Sequence, residues 1–279
     1  MAVSDKLKAL VDQMPDPDGR GMFTENIDKG KIDKAVAAIY EGGADNVRGL
    51  VEMLGEPGSD EDAKPHYALH CAVNHTLIVK DEKARKAFCD VLAAELSGEH
   101  SDYNKSFLCQ TLQWAGRREA VDGLGKLLLN EALCDPAAMA LAAIKDGAAD
   151  ALRGAASKAK GRCQLAIIDA LAALADPGSA SVLKDALDDP DREVRIAAGA
   201  GLSKIGDAGA ADLLIKAANA EPGWERIQAT KNCMVLAENL AAAGKKNDAK
   251  KIYTYLRDTR KDASEQYVSE AAEKALAEA

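Results

Sequence analysis

The feature that most constrains this chain is a recurring apolar triplet, an anchor followed by apolar residues three and four positions later. The anchors are Leu50, Phe88, Leu124, Leu152, Leu183, Leu214 and Ile252. Their followers are Met53/Leu54, Val91/Leu92, Leu127/Leu128, Ala155/Ala156, Ala186/Leu187, Ala217/Ala218 and Tyr255/Leu256. Successive anchors are 38, 36, 28, 31, 31 and 38 residues apart. Positions i, i+3 and i+4 share one helical face, so each anchor marks one buried stripe. A repeat of this length cannot bury its apolar face alone and must stack on its neighbours.

A second helix precedes most anchors. The clearest is expected over 191–205, with Asp189 as N-cap, Pro190 at the first helical position and Gly206 as the stop. Related text runs over 161–176 and 135–146. Small-residue turns follow at Pro177–Ala180, Gly147–Ala149 and Ala208–Ala210. Each unit therefore reads as helix, short turn, helix. Composition agrees: aromatic residues are 4% of the chain while hydrophobic residues are 47%. Alanine and leucine favour helices over strands.

The run Asp189-Pro-Asp-Arg-Glu-Val-Arg195, continued to Ile205-Gly-Asp-Ala-Gly-Ala210, resembles the HEAT repeat in its short bacterial form, found in phycobilisome-lyase-like proteins. The pattern D-P-x-x-x-V-R-x-x-A followed by A-L-x-x-I-G-D-x-x-A is matched over about 160–220, less closely over about 117–176 and weakly before residue 100. The text Glu221–Thr230 is similar to HEAT-repeat proteins of planctomycete-like bacteria. The resemblance implies an all-α, right-handed α-solenoid of about seven HEAT-like helical hairpins. It also implies that Asp191 and Arg195 link neighbouring repeats by hydrogen bonds. The C-terminal hairpin, Ala242–Leu256, resembles a tetratricopeptide hairpin, and a final helix over about 264–278 would cap the stack. An N-terminal helix (4–14) and loop (15–30) form a segment 1–30, ahead of one continuous solenoid over 31–279.

Charge narrows the function classes. Lys plus Arg number 36 and Asp plus Glu 45, a net −9. Nucleic-acid binding needs clustered positive charge, so it is not expected. The longest stretch without a charged residue, Pro65–Val79, is too short and too polar to span a bilayer. With no apolar leader after Met1, the chain as it stands is expected in the cytoplasm, the alternative being export with a leader removed. The six cysteines, Cys71, Cys89, Cys109, Cys134, Cys163 and Cys233, are never closer than 18 positions and read as buried small hydrophobes.

Candidate chemistry is sparse. His66 and His70, spaced i, i+4 after Pro65, are weak metal candidates, with Asp60-Glu-Asp62 a possible source of a carboxylate. There is no H-E-x-x-H motif, and two packed histidines are the plainer expectation. The absence of any His-Glu dipeptide excludes the iron chemistry of HEAT-like deoxyhypusine hydroxylases. Acidity and only two tryptophans, Trp114 and Trp224, argue against a HEAT-like DNA glycosylase. The loop Asp16-Pro-Asp18-Gly19 with Glu25 resembles part of an EF-hand but reads as a plain turn. No metal, catalytic or cofactor-binding residue is assigned.

The second helices are more informative. In solenoids of this kind they line the concave surface. Two positions before or after the anchors stand Arg48, Lys86, Asp122, Lys126, Asp150, Asp185, Asp212, Lys216 and Lys250, the candidate interaction surface. The pairs Arg48/Glu52, Lys86/Asp90, Asp122/Lys126 and Asp212/Lys216 are opposite charges at i, i+4 and would neutralise one another. The reading is a non-catalytic protein–protein interaction scaffold with a protein or peptide partner. The alternative is a HEAT-like lyase or isomerase, or a chromophore-handling protein.

Overall fold

The computed structural model describes residues 3–19, 22–23, 27–59 and 63–278. The described residues form sixteen α-helices and four short 3-10 turns, with no strand. After α1 (Asp5–Val11) come seven helix pairs. These are α2 (Lys29–Glu41) with α3 (Gly43–Glu52), α4 (Ala63–Ile78) with α5 (Glu82–Glu95), α6 (Asp102–Ala115) with α7 (Val121–Gly125), and α8 (Cys134–Ile144) with α9 (Ala148–Ala156). They continue as α10 (Gly161–Leu174) with α11 (Ala180–Asp185), α12 (Arg192–Ile205) with α13 (Ala211–Ala217), and α14 (Trp224–Ala242) with α15 (Lys246–Thr259). The last element, α16 (Gln266–Glu278), packs on α15. No helix among the described residues is long and apolar enough to cross a membrane.

The chain divides into two compact units, residues 1–151 and 152–279. In the first, α2, α4, α6 and α8 stack in order, and α3, α5 and α7 stack beside them. In the second, α10, α12 and α14 stack, with α13 against α15. Within each unit, second helices also nest against the first helix of the following pair, as α3 does on α4, α5 on α6, α11 on α12 and α13 on α14. This is the α-solenoid arrangement. The anchors explain it: all seven are buried to 1% exposure or less. Burying each such side chain contributes about 1.5–3 kcal/mol. In the first unit α1 joins the stack, packing on α2, α3 and α4, with Leu7, Val11 and Met14 in the core.

Local chemistry sets the helix ends. Ser4, Asp28, Asp81, Ser101 and Asp191 accept hydrogen bonds from backbone N–H groups of their own first turns. Such caps contribute about 1 kcal/mol each. For α12 the expected cap is corrected. Asp191, not Asp189, caps the helix, and Pro190 lies before it. Asp189 instead accepts from the backbone N–H of Asp191 at 2.8 Å, forming a turn that feeds the true cap. Gly206 ends α12 as expected, at φ +71° with its N–H on the carbonyls of Leu202 and Ser203. Gly201 permits a close approach, since a Cβ there would lie 2.7 Å from Leu183 Cδ1 and 3.0 Å from Ala172 Cα.

Candidate functional site

The expected interaction residues flank buried anchors, and the structure leaves them outside. Lys86, Asp122, Lys126, Asp150, Asp185, Asp212, Lys216 and Lys250 are exposed, and Arg48 is half-buried. Their expected pairing is largely wrong. Lys86 and Asp90 do pair within α5, at 2.8 Å. Arg48 turns instead to Asp45, at 3.1 Å, rather than to Glu52. Asp212 reaches Lys251 of α15 at 2.5 Å, and Lys216 reaches Asp188 at 3.5 Å. No ion pair joins Asp122 to Lys126 among the described residues. The physical reason is that an exposed i, i+4 pair gains only about 0.2–0.5 kcal/mol. A better-placed charge decides the geometry, on another hairpin for Asp212 and Lys216 and one turn back on its own helix for Arg48.

The links between repeats lie elsewhere. Gln164, Arg195 and Arg226 recur 31 residues apart on α10, α12 and α14. Gln164 donates to the Asp189 carboxylate. Arg195 grips Glu225 with two hydrogen bonds, 2.7 and 2.8 Å, and donates to the carbonyls of Asp189 and Pro190. Arg226 grips Glu265 in the same way, at 2.8 and 2.6 Å. Arg195 thus links repeats as the resemblance implies, whereas the Asp191 carboxylate is spent on capping its own helix. The paired arginine holds the carboxyls of Glu225 and Glu265 below the usual range. Two buried guanidiniums escaped the sequence reading. Arg85 donates to Glu82, Glu119 and the Ala115 carbonyl. Arg260, 1% exposed, donates to Thr230, Tyr255 and the Ala218 carbonyl and lies 5.2 Å from the Tyr255 ring. Arg260 stands in the charged text Arg257-Asp-Thr-Arg-Lys-Asp262, where nothing in the sequence marks one arginine as buried.

The two histidines on α4 pack against different rings. The His66 ring meets Phe107 at 4.5 Å and Tyr103 at 5.5 Å, while His70 meets Trp114 at 5.2 Å. Among the described residues no group of three His, Cys, Asp or Glu side chains is placed to hold a metal ion. The Asp60-Glu-Asp62 loop and Glu25 lie outside the described residues. Asp18 forms a turn, accepting from the Met22 N–H and donating its own N–H to the Met22 carbonyl. Asp16 pairs with Lys64 at 3.0 Å. Five cysteines are buried and Cys71 is half-buried; all six are free thiols. Burial pushes Cys89, Cys109 and Cys233 up to about 12, so these carry no thiolate at neutral pH.

What the sequence reading missed is a cleft of about 760 Å³ on α4 and α6. Six rings line it: Phe23, His66, Tyr67, His70, Tyr103 and Phe107. Phe23 packs on Tyr67 at 4.8 Å, which ties the segment before α2 to α4. The sequence shows only that rings are unevenly distributed, not that they meet. All three phenylalanines and all four histidines fall before residue 110, in a chain otherwise poor in rings.

The sequence family of HEAT repeats matches residues 156–234. No curated protein matches the chain. Among solved structures, an engineered protein is 20% identical, with 96% of this chain and 78% of that chain covered, at a TM-score of 0.46. A designed armadillo repeat protein in complex with the peptide (KR)4 is 22% identical, with 98% and 100% covered, at a TM-score of 0.31.

Proposed function

We propose that this HEAT-repeat chain is a non-catalytic scaffold that presents the exposed faces of its second helices to a protein or peptide partner. One observation carries the reading. At every hairpin the anchor is buried, and from the second hairpin on the polar residues two positions before and after it are exposed. The first unit offers Lys86, Asp122 and Lys126, and the second offers Asp185, Asp212, Lys216 and Lys250. A row that recurs once per repeat suits an extended partner more than a compact ligand. Its ion pairs are exposed, so breaking them on docking costs about 1 kcal/mol or less each. The mixed signs favour a partner of alternating charge over a uniformly basic or acidic one.

The test combines capture with charge reversal. Partners captured from the native cell by the wild-type chain are compared with those captured by a Lys86→Glu/Lys126→Glu variant and an Asp212→Lys/Lys216→Glu variant. The expected outcome is loss of a specific partner with the melting temperature lowered by only a few degrees, since the ion pairs lost are exposed. A partner retained by both variants would sink the second-helix assignment.

A further inference from the structure

We propose that two hollows in the second unit, one repeat apart, seat two side chains of an extended peptide. A lysine or arginine enters the hollow lined by Asp185 and Asp189, and an aliphatic residue three positions away enters the hollow lined by Leu187 and Leu213. This names the partner of the scaffold described above and rests on that reading. Each hollow holds about 270 Å³. Small-molecule sites occupy roughly 300–1,000 Å³, so each hollow suits a single side chain.

The two hollows are the same place in successive repeats. One is walled by α9, α10 and α11, the other by the end of the α11 hairpin, α12 and α13. Seven lining positions of the first recur 31 residues later in the second, among them Gln164 and Arg195, Val182 and Leu213, and Asp185 and Lys216. Helices α10 and α12 pack directly on each other. Packed helices lie about 8–10 Å apart, so equivalent points on them are one such step apart. In a polyproline-II segment, side chains three residues apart point the same way at a spacing of about 9 Å. In a strand the side chains of one face stand about 6.6 or 13 Å apart, too close or too far. The spacing therefore selects the polyproline-II form, whose preset backbone also loses little entropy on docking.

Floor and rim set the chemistry of each side chain. In the first hollow Ala159, Ile168 and Ala186 are buried in the floor. Asp185 at the rim is exposed and forms no ion pair among the described residues. The Asp189 carboxylate accepts from neutral donors, the Gln164 amide and the Asp191 N–H. Arg153, the cation of this lining, is held by Asp176 and Ser179. An apolar floor under a carboxylate rim fits an aliphatic stem with a cationic head. In the second hollow the charges hold one another, Glu225 on Arg195 and Asp188 on Lys216. Its remaining lining, with Leu187, Leu213 and Ala217, gains most from an aliphatic side chain.

The test titrates the full-length chain into a fluorescent proline-rich peptide that bears one lysine and one leucine three positions apart, in both orders, and reads anisotropy. The expected result is saturable binding of one peptide per chain in one of the two orders. Replacing the peptide lysine by glutamate, replacing its leucine by alanine, or cutting the separation to two should each weaken binding about tenfold. On the chain, Asp185→Lys, at an exposed residue, should lose the lysine peptide and gain the glutamate one. Ala217→Leu fills the second hollow and should remove the preference for leucine over alanine. The peptide changes decide the matter where Ala217→Leu fails to fold. No saturable binding in either order, binding indifferent to the spacing or to Asp185→Lys, or equal binding of free lysine amide would overturn the proposal. Loss of a captured partner in the Asp212→Lys/Lys216→Glu variant without any peptide binding would sink the hollows and leave the scaffold reading standing. Peptide binding as expected, with the captured partner kept by both charge-reversed variants, would sink the second-helix row and leave the hollows standing.

Discussion

The two units solve the same stacking problem with different side chains. In the second, the first helices meet through small residues: Gly201 of α12 lies against Ala172 of α10, and a 31-residue spacing repeats an Arg or Gln link at the same place. The hollows beside Arg195 and Arg153 are about 270 Å³ each. In the first, successive anchors are 38 and 36 residues apart, and rings contact α4 from several sides. Rings are rigid and fill space unevenly, so open volume remains between them. Regular repeats pack closely and leave only small hollows. Irregular repeats with rings leave a cleft.

The largest expected effect tests the regular unit. Leu214 on α13 is 1% exposed, and Leu214→Asp would bury an unpaired carboxylate or force the helix off its neighbours. Either costs several kcal/mol, against a whole-domain stability of about 5–15 kcal/mol. Repeats couple mainly to nearest neighbours. A thermal melt should therefore split, with the second unit lost first and Trp114 emission in the first surviving to higher temperature. A single transition for both units, reporting one cooperative block, would remove the distinction drawn between them.

The next effect contrasts two arginines. Arg85 and Glu119 in the first unit have side chains 5% and 9% exposed, whereas Arg195 and Glu225 in the second are 28% and 27% exposed. Removing one partner of a buried pair costs about 3 kcal/mol or more, and an open pair about 1 kcal/mol or less. Arg85→Ala should thus lower the denaturation midpoint well beyond Arg195→Ala. Equal shifts would mean that the repeating links of the second unit carry more than their exposure allows.

Acid should expose the same pair. Burial pushes the Glu119 carboxyl up, but the Arg85 guanidinium and the Arg117 N–H outweigh it and hold it below 4.5. A carboxyl depressed on folding contributes stability that is fully present above its unfolded value and is lost as pH falls through the folded value. Stability of the first unit should therefore be flat above about pH 5 and decline below 4.5. Glu119→Gln should be less stable at neutral pH and shallower in acid. An acid slope identical to the wild type would show that Glu119 gains nothing from Arg85.

The fold was legible because burial recurs with a period. Seven anchors picked by spacing are seven core residues, and the capping helix α16 begins within two residues of its expected start. Turn chemistry was read one step early at Asp189, because two successive aspartates can each close a turn and only the backbone decides which caps. The cleft was not legible. Phe23, Tyr67 and Phe107 lie 44 and 40 positions apart, and nothing local to any of them indicates that they meet. Charge partners on the second helices were equally hidden, since sequence shows the i, i+4 neighbour and not the neighbour on the next hairpin.

That last gap gives the smallest and sharpest comparison. Lys86 and Asp90 pair within α5, whereas Asp212 and Lys216, at the same spacing on α13, each look outward to Lys251 and Asp188. The 14 residues of α5 hold the Lys86–Asp90 geometry, while α13 has only seven and ends at the position after Lys216. A double-mutant cycle on Lys86→Ala and Asp90→Ala should return about 0.2–0.5 kcal/mol of coupling. The same cycle on Asp212→Ala and Lys216→Ala should return none within error, although Lys216→Ala alone costs up to about 0.5 kcal/mol through Asp188. Coupling at Asp212/Lys216 equal to that at Lys86/Asp90 would restore the self-neutralised ridge. It would also tie up within α13 the charges that the proposed partner of the second unit is to read.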